Sequence, residues 1–338
     1  MCVFALIYVN LQQTKQHIYM ADNRKIYINR NNSDLWKEDT CRSVEMYNEW
    51  FLGFAPSTYI SEREKSKRQV ATAMRLTDNF HLNEENLFTN PDTISILRMV
   101  TAPPIARERL AGLAGVSKTV ISRMESGKLP SKMTDEAIKA EIGKIAKVLS
   151  RLFDRTLCPW IEKGSEPTPS QRRIAASVVA DRMCGMMSDP IIRNEQERRQ
   201  LRAISAWLDQ RGYTFVKSDS IADFRNMQPG TYTYHLNVAV ENPTANMPID
   251  VVIRRKDESF RLPLLVECKS AGDFTNTNKR RKEEAQKISQ LKSTYGGDID
   301  FILFLCGYFD SGYLGYEAGE MIDWVWEHRI NDFSKAGV

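Results

Sequence analysis

PIDVVIRRKDESFRLPLLVECKSAG, residues 248–272, decides how the second half of this chain folds. Its two apolar runs flank a charged turn and predict two short strands. Pairing them antiparallel about Glu258 and Ser259 sets Asp250, at the start of the first strand, beside Glu267, at the end of the second. Side chains alternate along a strand, so Glu267 and Lys269 share one face while Cys268 points the other way, toward the core. One edge of a sheet then carries two carboxylates and an ammonium group close together. Carboxylates that near repel unless a divalent cation lies between them, and all-oxygen ligation suits magnesium. Lysine adds a group able to orient or deprotonate a water. Together these parts fit metal-assisted phosphodiester hydrolysis.

Taken alone, an Asp followed at variable distance by Glu-x-Lys is a weak signal, equally at home in a surface hairpin with scattered charges. The surroundings argue for more. PLLVE is too apolar for an exposed hairpin, and a second buried strand, FILFLC at 301–306, follows after a helix over 280–294. Charges at the rim of a buried sheet are costly unless they are paired or used.

With 338 residues the chain can hold two or three domains and needs no covalent staples to bury a core. A net charge of +4 is compatible with an anionic partner without demanding one. The six cysteines (2, 41, 158, 184, 268, 306) form no C-x-x-C pair, which argues against zinc and disulfide frameworks and for a reducing cytoplasm. The four histidines (17, 81, 235, 328) are as scattered, so histidine-ligated zinc chemistry finds no ligand cluster. The apolar run CVFALIYV has no basic segment before it and no cleavage site after it, and is too short to span a bilayer. Residues 1–19 therefore read as an extension upstream of the polar start at Met20, and no membrane partner is expected.

Further along, DLWKEDTCRSVEMYNEWFLGFA (34–55) spaces Val44, Tyr47, Phe51 and Phe54 as the core face of a helix that Pro56 ends. SEREKSKR (61–68) reads as a solvated face. Residues 93–165 look helical, with Ile138, Ile142, Ile145 and Leu149 on one stripe. EKGSEPTPSQ (162–171) is the best linker. Beyond it come helices near 172–187 and 193–211, strands near 213–216 and 234–240, the hairpin, the 280–294 helix, the 301–306 strand, and a closing helix over 317–330. The expected organisation is an N-terminal extension at 1–33, partly disordered, a helical domain at 34–165, and an α/β domain at 172–338 built on a mixed sheet flanked by helices.

RERLAGLAGVSKTVISRMESGKLPS (107–131) carries the logic of a helix-turn-helix. Leu110 and Ala114 face inward on the first helix, Gly115 takes the tight turn, and Val116 fills the angle between the helices. Ser117 is placed to cap the second helix, whose inner face is Ile121 and Met124 and whose C-cap is Gly127. Ser117, Lys118, Thr119, Ser122 and Arg123 are left for DNA, with Val120 able to touch a thymine methyl. A helical hairpin used only for packing is the plainer alternative. The stretch resembles the helix-turn-helix of phage repressors.

The C-terminal half, with P-I-D at 248–250 and E-C-K at 267–269, resembles the PD-(D/E)xK nuclease superfamily. KSAGDFTNTNKRRKEEAQK (269–287), LFLCGYFDSGYLGYEA (303–318), IDWVWEHR (322–329) and LWKEDTCRSVEMYNEWF (35–51) resemble type II restriction endonucleases of the XamI kind. The resemblance implies Mg²⁺-dependent cleavage of a short specific sequence in double-stranded DNA, leaving 5′-phosphates, by a homodimer acting on a palindrome. Asp250 and Glu267, helped by the carbonyl of Cys268, would hold the metal, and Lys269 would position and activate the attacking water. Glu195 and Glu197 are candidates for the extra carboxylate that some relatives bring from the helix before the sheet; solvation, or pairing with Arg198 or Arg199, is the ordinary role. Lys279, Arg280, Arg281 and Lys282 suit phosphate contacts, although a solvated helix face explains them nearly as well. A cognate DNA methyltransferase would be the functional partner in a restriction-modification system. Two other readings stay open at this level. One is a helix-turn-helix transcriptional regulator with a non-catalytic sheet domain. The other is a structure-specific repair nuclease.

Overall fold

The computed structural model describes residues 27–241, 245–275 and 277–338, with the side chains of 277–281 left out. Along the chain run helices α1 (Ser33–Leu76), α2 (Arg107–Ala114), α3 (Lys118–Glu125), α4 (Asp135–Leu152) and α5 (Pro169–Asp209). Strands β1 (Thr214–Phe215), β2 (Thr231–Val240), β3 (Ala245–Arg254) and β4 (Leu264–Ala271) follow. Helix α6 (Thr277–Tyr295), strand β5 (Phe301–Gly307), helix α7 (Ser311–Gly319) and strand β6 (Asp323–Trp326) come next, and shorter helical segments, among them Glu84–Thr89, Ile94–Leu97, Pro159–Lys163 and Glu327–Ala336, lie between or after these elements. Packing divides the chain into two units: the described part of Met1–Leu52 with Asn194–Val338, and Gly53–Arg193.

The first unit is α/β. Its six strands lie in sequence order, β1 parallel to β2, β2 to β4 antiparallel, and β4, β5 and β6 parallel. A two-strand hairpin needs only a short turn, whereas the parallel steps from β4 to β5 and from β5 to β6 are crossed by α6 and α7. Both faces are covered. Leu265, Leu303, Leu305 and Trp324 pack with Ile288 and Leu291 of α6 and Leu314 of α7. Their strand neighbours Leu264, Val266, Ile302, Phe304 and Val325 pack with Ile204, Trp207 and Leu208 of α5.

Several expectations are corrected here. The closing helix expected over 317–330 is instead the end of α7 followed by β6, a strand with all four residues buried. Such a strand, covered on both faces, shows no alternation and reads as a helix segment. Residues 28–30, expected within the extension, are packed. Asp323 accepts the backbone N–H groups of Ile28 (2.7 Å), Asn29 (2.8 Å) and Arg30 (3.0 Å). The extension's residues 1–26 lie outside the described residues. Pro56 does not end its helix, and the helices expected at 172–187 and 193–211 are one, running through Pro190. An internal proline forfeits a backbone hydrogen bond, and both prolines are exposed, where water can take the freed carbonyl. The buried face of α1 near the sheet is also more polar than its aromatic spacing implied. Asp39, Thr40, Ser43 and Tyr47 are buried while Phe51 stays 38% exposed. Thr40 donates to the carbonyl of Phe309 (2.8 Å), and the N–H of Gly307 donates to Ser43 Oγ (2.7 Å).

The second unit is helical around a core of Leu110, Ile121, Met124, Ile138, Ile142, Ile145, Leu149 and Trp160. The linker expected at 162–171 falls inside it. Helix α2 ends at Gly115, whose φ of 64° suits glycine, and Ser117 Oγ accepts the N–H of Thr119 at the start of α3. Glu125 at the end of α3 is gripped by the buried Arg98 (2.5 Å) and by Arg107 (2.5 Å).

Candidate active site

Strands β3 and β4 pair with Val251 opposite Val266. One step on, Asp250 meets the Glu267–Cys268 end of β4, which is the register that a turn about Glu258 and Ser259 requires. The meeting is direct: the N–H of Cys268 donates to Asp250 Oδ2 at 2.8 Å. Glu267 Oε1 accepts from Lys269 Nζ (3.0 Å) and from Lys287 Nζ (2.6 Å). Lys287 also donates to the carbonyl of Pro248 (3.3 Å), so α6 reaches over both strands. Lys269 Nζ lies 3.3 Å from Glu284 Oε1, and Glu284 Oε2 accepts from the hydroxyl of Tyr313 (3.0 Å). Glu284 is wholly buried. The sequence reading missed both α6 residues, because nothing in a heptad-scale pattern tells which charges of an amphipathic helix turn toward a sheet.

Charge is crowded here. Burial and the neighbouring Glu267 carboxylate push Asp250 up to about 6, against the pull of the Cys268 amide and of Lys269 and Lys287. Burial raises Glu284 as well, partly offset by Lys269 and by Tyr313. For Lys269, burial works against the charge, but Glu267 and Glu284 outweigh it and the ammonium is held above its ordinary value. Among the described residues, Glu267 Oε2 is a buried acceptor without a hydrogen-bond partner.

On the other side of Asp250, Glu197 of α5 and His235 of β2 approach, and one ligand atom from each of the three lies within 4.8 Å of the others. His235 falls between the paired positions Tyr234–Val251 and Leu236–Ile249 and has a φ of 51°. The strand changes sides at that residue, Tyr232 and Tyr234 packing with one core and Leu236 and Val238 with the other. The scatter of histidines in sequence therefore concealed a histidine that the fold brings beside two carboxylates. Glu195, the other helix carboxylate considered, is taken by Arg202 and Arg198. Arg199 is taken by Glu327 at 3.0 Å.

The XamI restriction endonuclease family matches residues 77–326, about three quarters of the chain and all of the sheet residues above. The type II restriction enzyme SalI of Streptomyces albus G is 48% identical over 313 residues, covering 92% of this chain and 99% of that enzyme. This chain belongs to the XamI restriction endonuclease family. The type II restriction enzyme XamI of Xanthomonas campestris pv. amaranthicola is 26% identical over 189 residues, covering 56% of this chain and 62% of that enzyme. No solved structure matches. As a member of the XamI family the protein is a type II restriction endonuclease, a site-specific enzyme whose substrate is double-stranded DNA. Enzymes of this type typically need a divalent metal, and Glu197, His235 and Asp250 make a group able to hold one.

The remaining expected residues of this XamI-family enzyme are placed as follows. Ser117, Lys118, Thr119, Ser122 and Arg123 are all exposed along α3, while Val120, expected to touch a base, is buried at 5% exposure in the helical core. At helical spacing Val120 falls on the stripe of Ile121 and Met124, so its contact is with the protein. Lys282 is exposed on α6; the side chains of Lys279, Arg280 and Arg281 lie outside the described residues. No helix among the described residues is long and apolar enough to cross a membrane.

Proposed function

We propose that this enzyme cleaves a short specific sequence in double-stranded DNA by Mg²⁺-dependent hydrolysis of the PD-(D/E)xK type, leaving 5′-phosphates. The observation that carries this reading is the register of β3 against β4, which sets Asp250 beside the Glu267-Cys268-Lys269 run. The donor set suits a hard cation. Asp250 and Glu267 repel one another, Glu267 keeps a buried oxygen without a partner among the described residues, and the main-chain carbonyl of Cys268 offers a further oxygen. Held there, Mg²⁺ would polarise the phosphoryl oxygen and ease deprotonation of water. Asp250, Glu267 and Cys268 would be its ligands.

Lys269 stays protonated between Glu267 and Glu284, so its part is to orient the attacking water and to offset charge building on the phosphate, not to accept a proton. The two carboxylates fix where that ammonium points. Water would attack the phosphorus in line as it gives up a proton to solvent, the P–O3′ bond would break with the 3′-oxygen leaving and taking up a proton, and the phosphate would stay on the 5′-oxygen of the downstream nucleotide.

For DNA contact, the exposed residues of α3 (Ser117, Lys118, Thr119, Ser122 and Arg123) form the polar face of a helix-turn-helix, directed either at the target or at the enzyme's own promoter. Lys279, Arg280, Arg281 and Lys282, at the start of α6, would contact phosphates without reading sequence. Each chain carries one hydrolytic group and duplex cleavage needs two cuts, which supports a homodimer on a palindrome. A cognate methyltransferase would protect host sites. The free cysteines at 41, 158, 184, 268 and 306 fit a reducing cytoplasm.

Plasmid digestion with Mg²⁺ tests this reading. Discrete bands are expected, and Glu267→Ala or Lys269→Ala should abolish them while DNA binding, measured in Ca²⁺, survives. Full cutting by either variant removes the assignment.

A further inference from the structure

Two ammonium groups share one carboxylate oxygen at the edge of the sheet. Lys269 Nζ and Lys287 Nζ both donate to Glu267 Oε1, at 3.0 and 2.6 Å. The two lysines are held differently. Lys269 has a second carboxylate, the wholly buried Glu284 at 3.3 Å, and cannot leave without stranding that charge. Lys287 has, besides Glu267, the neutral carbonyl of Pro248 at 3.3 Å and no further anion among the described residues. Its side chain keeps 23% of its surface exposed, against 7% for that of Glu267, so solvent is within its reach. From α6 it bridges β3 and β4, the two strands whose carboxylates repel one another, and its charge helps keep Asp250 ionised.

We propose that Lys287 is a displaceable counter-ion of the metal site: its ammonium holds the Glu267 carboxylate until a divalent ion binds there, and then swings out to solvent. The inference rests on the reading above, in which Asp250 and Glu267 are metal ligands. A hard cation sits about 2.1 Å from a carboxylate oxygen. An ammonium kept on the same carboxylate would then lie within a few ångströms of that ion. Like charges so close in a buried, poorly screened place repel, and the one with the weaker hold gives way. Glu284 retains Lys269, whereas Lys287 has no second anion among the described residues. Its four-carbon stem lets Nζ move while α6 stays in place. Lys287 thus neutralises the carboxylates of the folded protein when no divalent ion is supplied, and competes with that ion for Glu267. The competing account is a fixed bridge from α6 to β3 and β4, in which Lys287 keeps its contacts whether or not an ion is bound.

The experiment is amine labelling of the wild-type, full-length protein without DNA, in EDTA and in saturating Mg²⁺, read lysine by lysine by peptide mass spectrometry. An ammonium locked in an ion pair labels slowly, and a solvated one labels fast. Lys287 should label about tenfold faster in Mg²⁺ than in EDTA, while Lys269, held by Glu284, stays protected in both. In Glu267→Gln, Lys287 should label fast with or without Mg²⁺. Separately, Mn²⁺ titration followed by the paramagnetic resonance of the free ion should find Lys287→Met binding about tenfold more tightly than wild type. Lys287 labelling that ignores Mg²⁺, or release of Lys269 in its place, overturns the proposal. So does unchanged or weaker Mn²⁺ binding by Lys287→Met. If Glu267→Gln loses Mn²⁺ binding while any of these results is found, the metal ligands stand and only the role of Lys287 is removed. Mn²⁺ binding undiminished in Glu267→Gln sinks the ligand set, and this inference with it.

Discussion

Asp250→Asn offers the sharpest test, because its effect on stability and its effect on activity have opposite signs. In the metal-free fold, burial and Glu267 raise the Asp250 carboxyl from 3.8 to about 6. At about 1.36 kcal/mol per pH unit, that rise corresponds to about 3 kcal/mol of strain on the ionised form. The sign follows from which state binds the proton more tightly. The folded state does, so the penalty is absent below pH 3.8, develops as pH rises from there to about 6, and is complete above. Asparagine cannot ionise, but its amide oxygen can still accept the N–H of Cys268. The variant should therefore be more stable than wild type by up to about 3 kcal/mol at pH 7.5 in EDTA, and show little gain near pH 4. Urea unfolding followed by tryptophan fluorescence at the two pH values measures this. Adding Mg²⁺ should stabilise wild type and not the variant, and the variant should not cut DNA. Equal stability of the two proteins at pH 7.5, or a gain of the same size at pH 4, would refute the electrostatic argument.

Three further outcomes are expected. Glu125→Ala leaves Arg98, 3% exposed, without its carboxylate, and should cost about 3–5 kcal/mol, read as a lower thermal midpoint; an unchanged midpoint would remove the clamp. Gly307→Ala puts a Cβ 2.1 Å from the carbonyl oxygen of Ala271, at a φ of 99°, and should destabilise by more than about 1 kcal/mol. Because Ala271 follows Lys269 on β4 by two residues, cleavage should fall with it; wild-type unfolding and cutting would count against that close approach. Ser122→Ala with Arg123→Ala should weaken binding to the specific duplex and lower the salt dependence of binding by about one ion, whereas unchanged affinity in a filter or fluorescence titration would release α3 from any role in recognition.

Much of the geometry of the proposed site was legible because its information is local. Asp250, Glu267 and Lys269 sit on two strands joined by one turn, and a period of two together with the turn's midpoint is enough to bring them together. The α2–turn–α3 geometry was legible for a similar reason: a glycine with φ of 64° and a serine N-cap act within a few residues of themselves. Where the reading failed, the signal was ambiguous rather than absent. Trp324 and Trp326 belong to one core and Val325 to the other, so β6 offers four buried residues and no alternation. Val120 looked like a base contact because an apolar residue at the margin of a helix face is assigned by angle alone, and the packing of its neighbours decides the matter.

What the sequence by itself determined is the set of local elements and the pairing of the hairpin, since backbone sterics, strand alternation and turn chemistry act over a few residues. What only the tertiary structure decided is which distant groups meet at that edge. Glu284 and Lys287 arrive because α6 crosses from β4 to β5, and Glu197 because α5 packs on the opposite face. Asp323 finds the amides of residues 28–30 across almost the whole chain. His235 meets Asp250 because the pairing of β2 with β3 sets the two positions opposite each other. Charges separated by long stretches of sequence acquire their distances, and hence their ionisation, only when the core that holds them has closed.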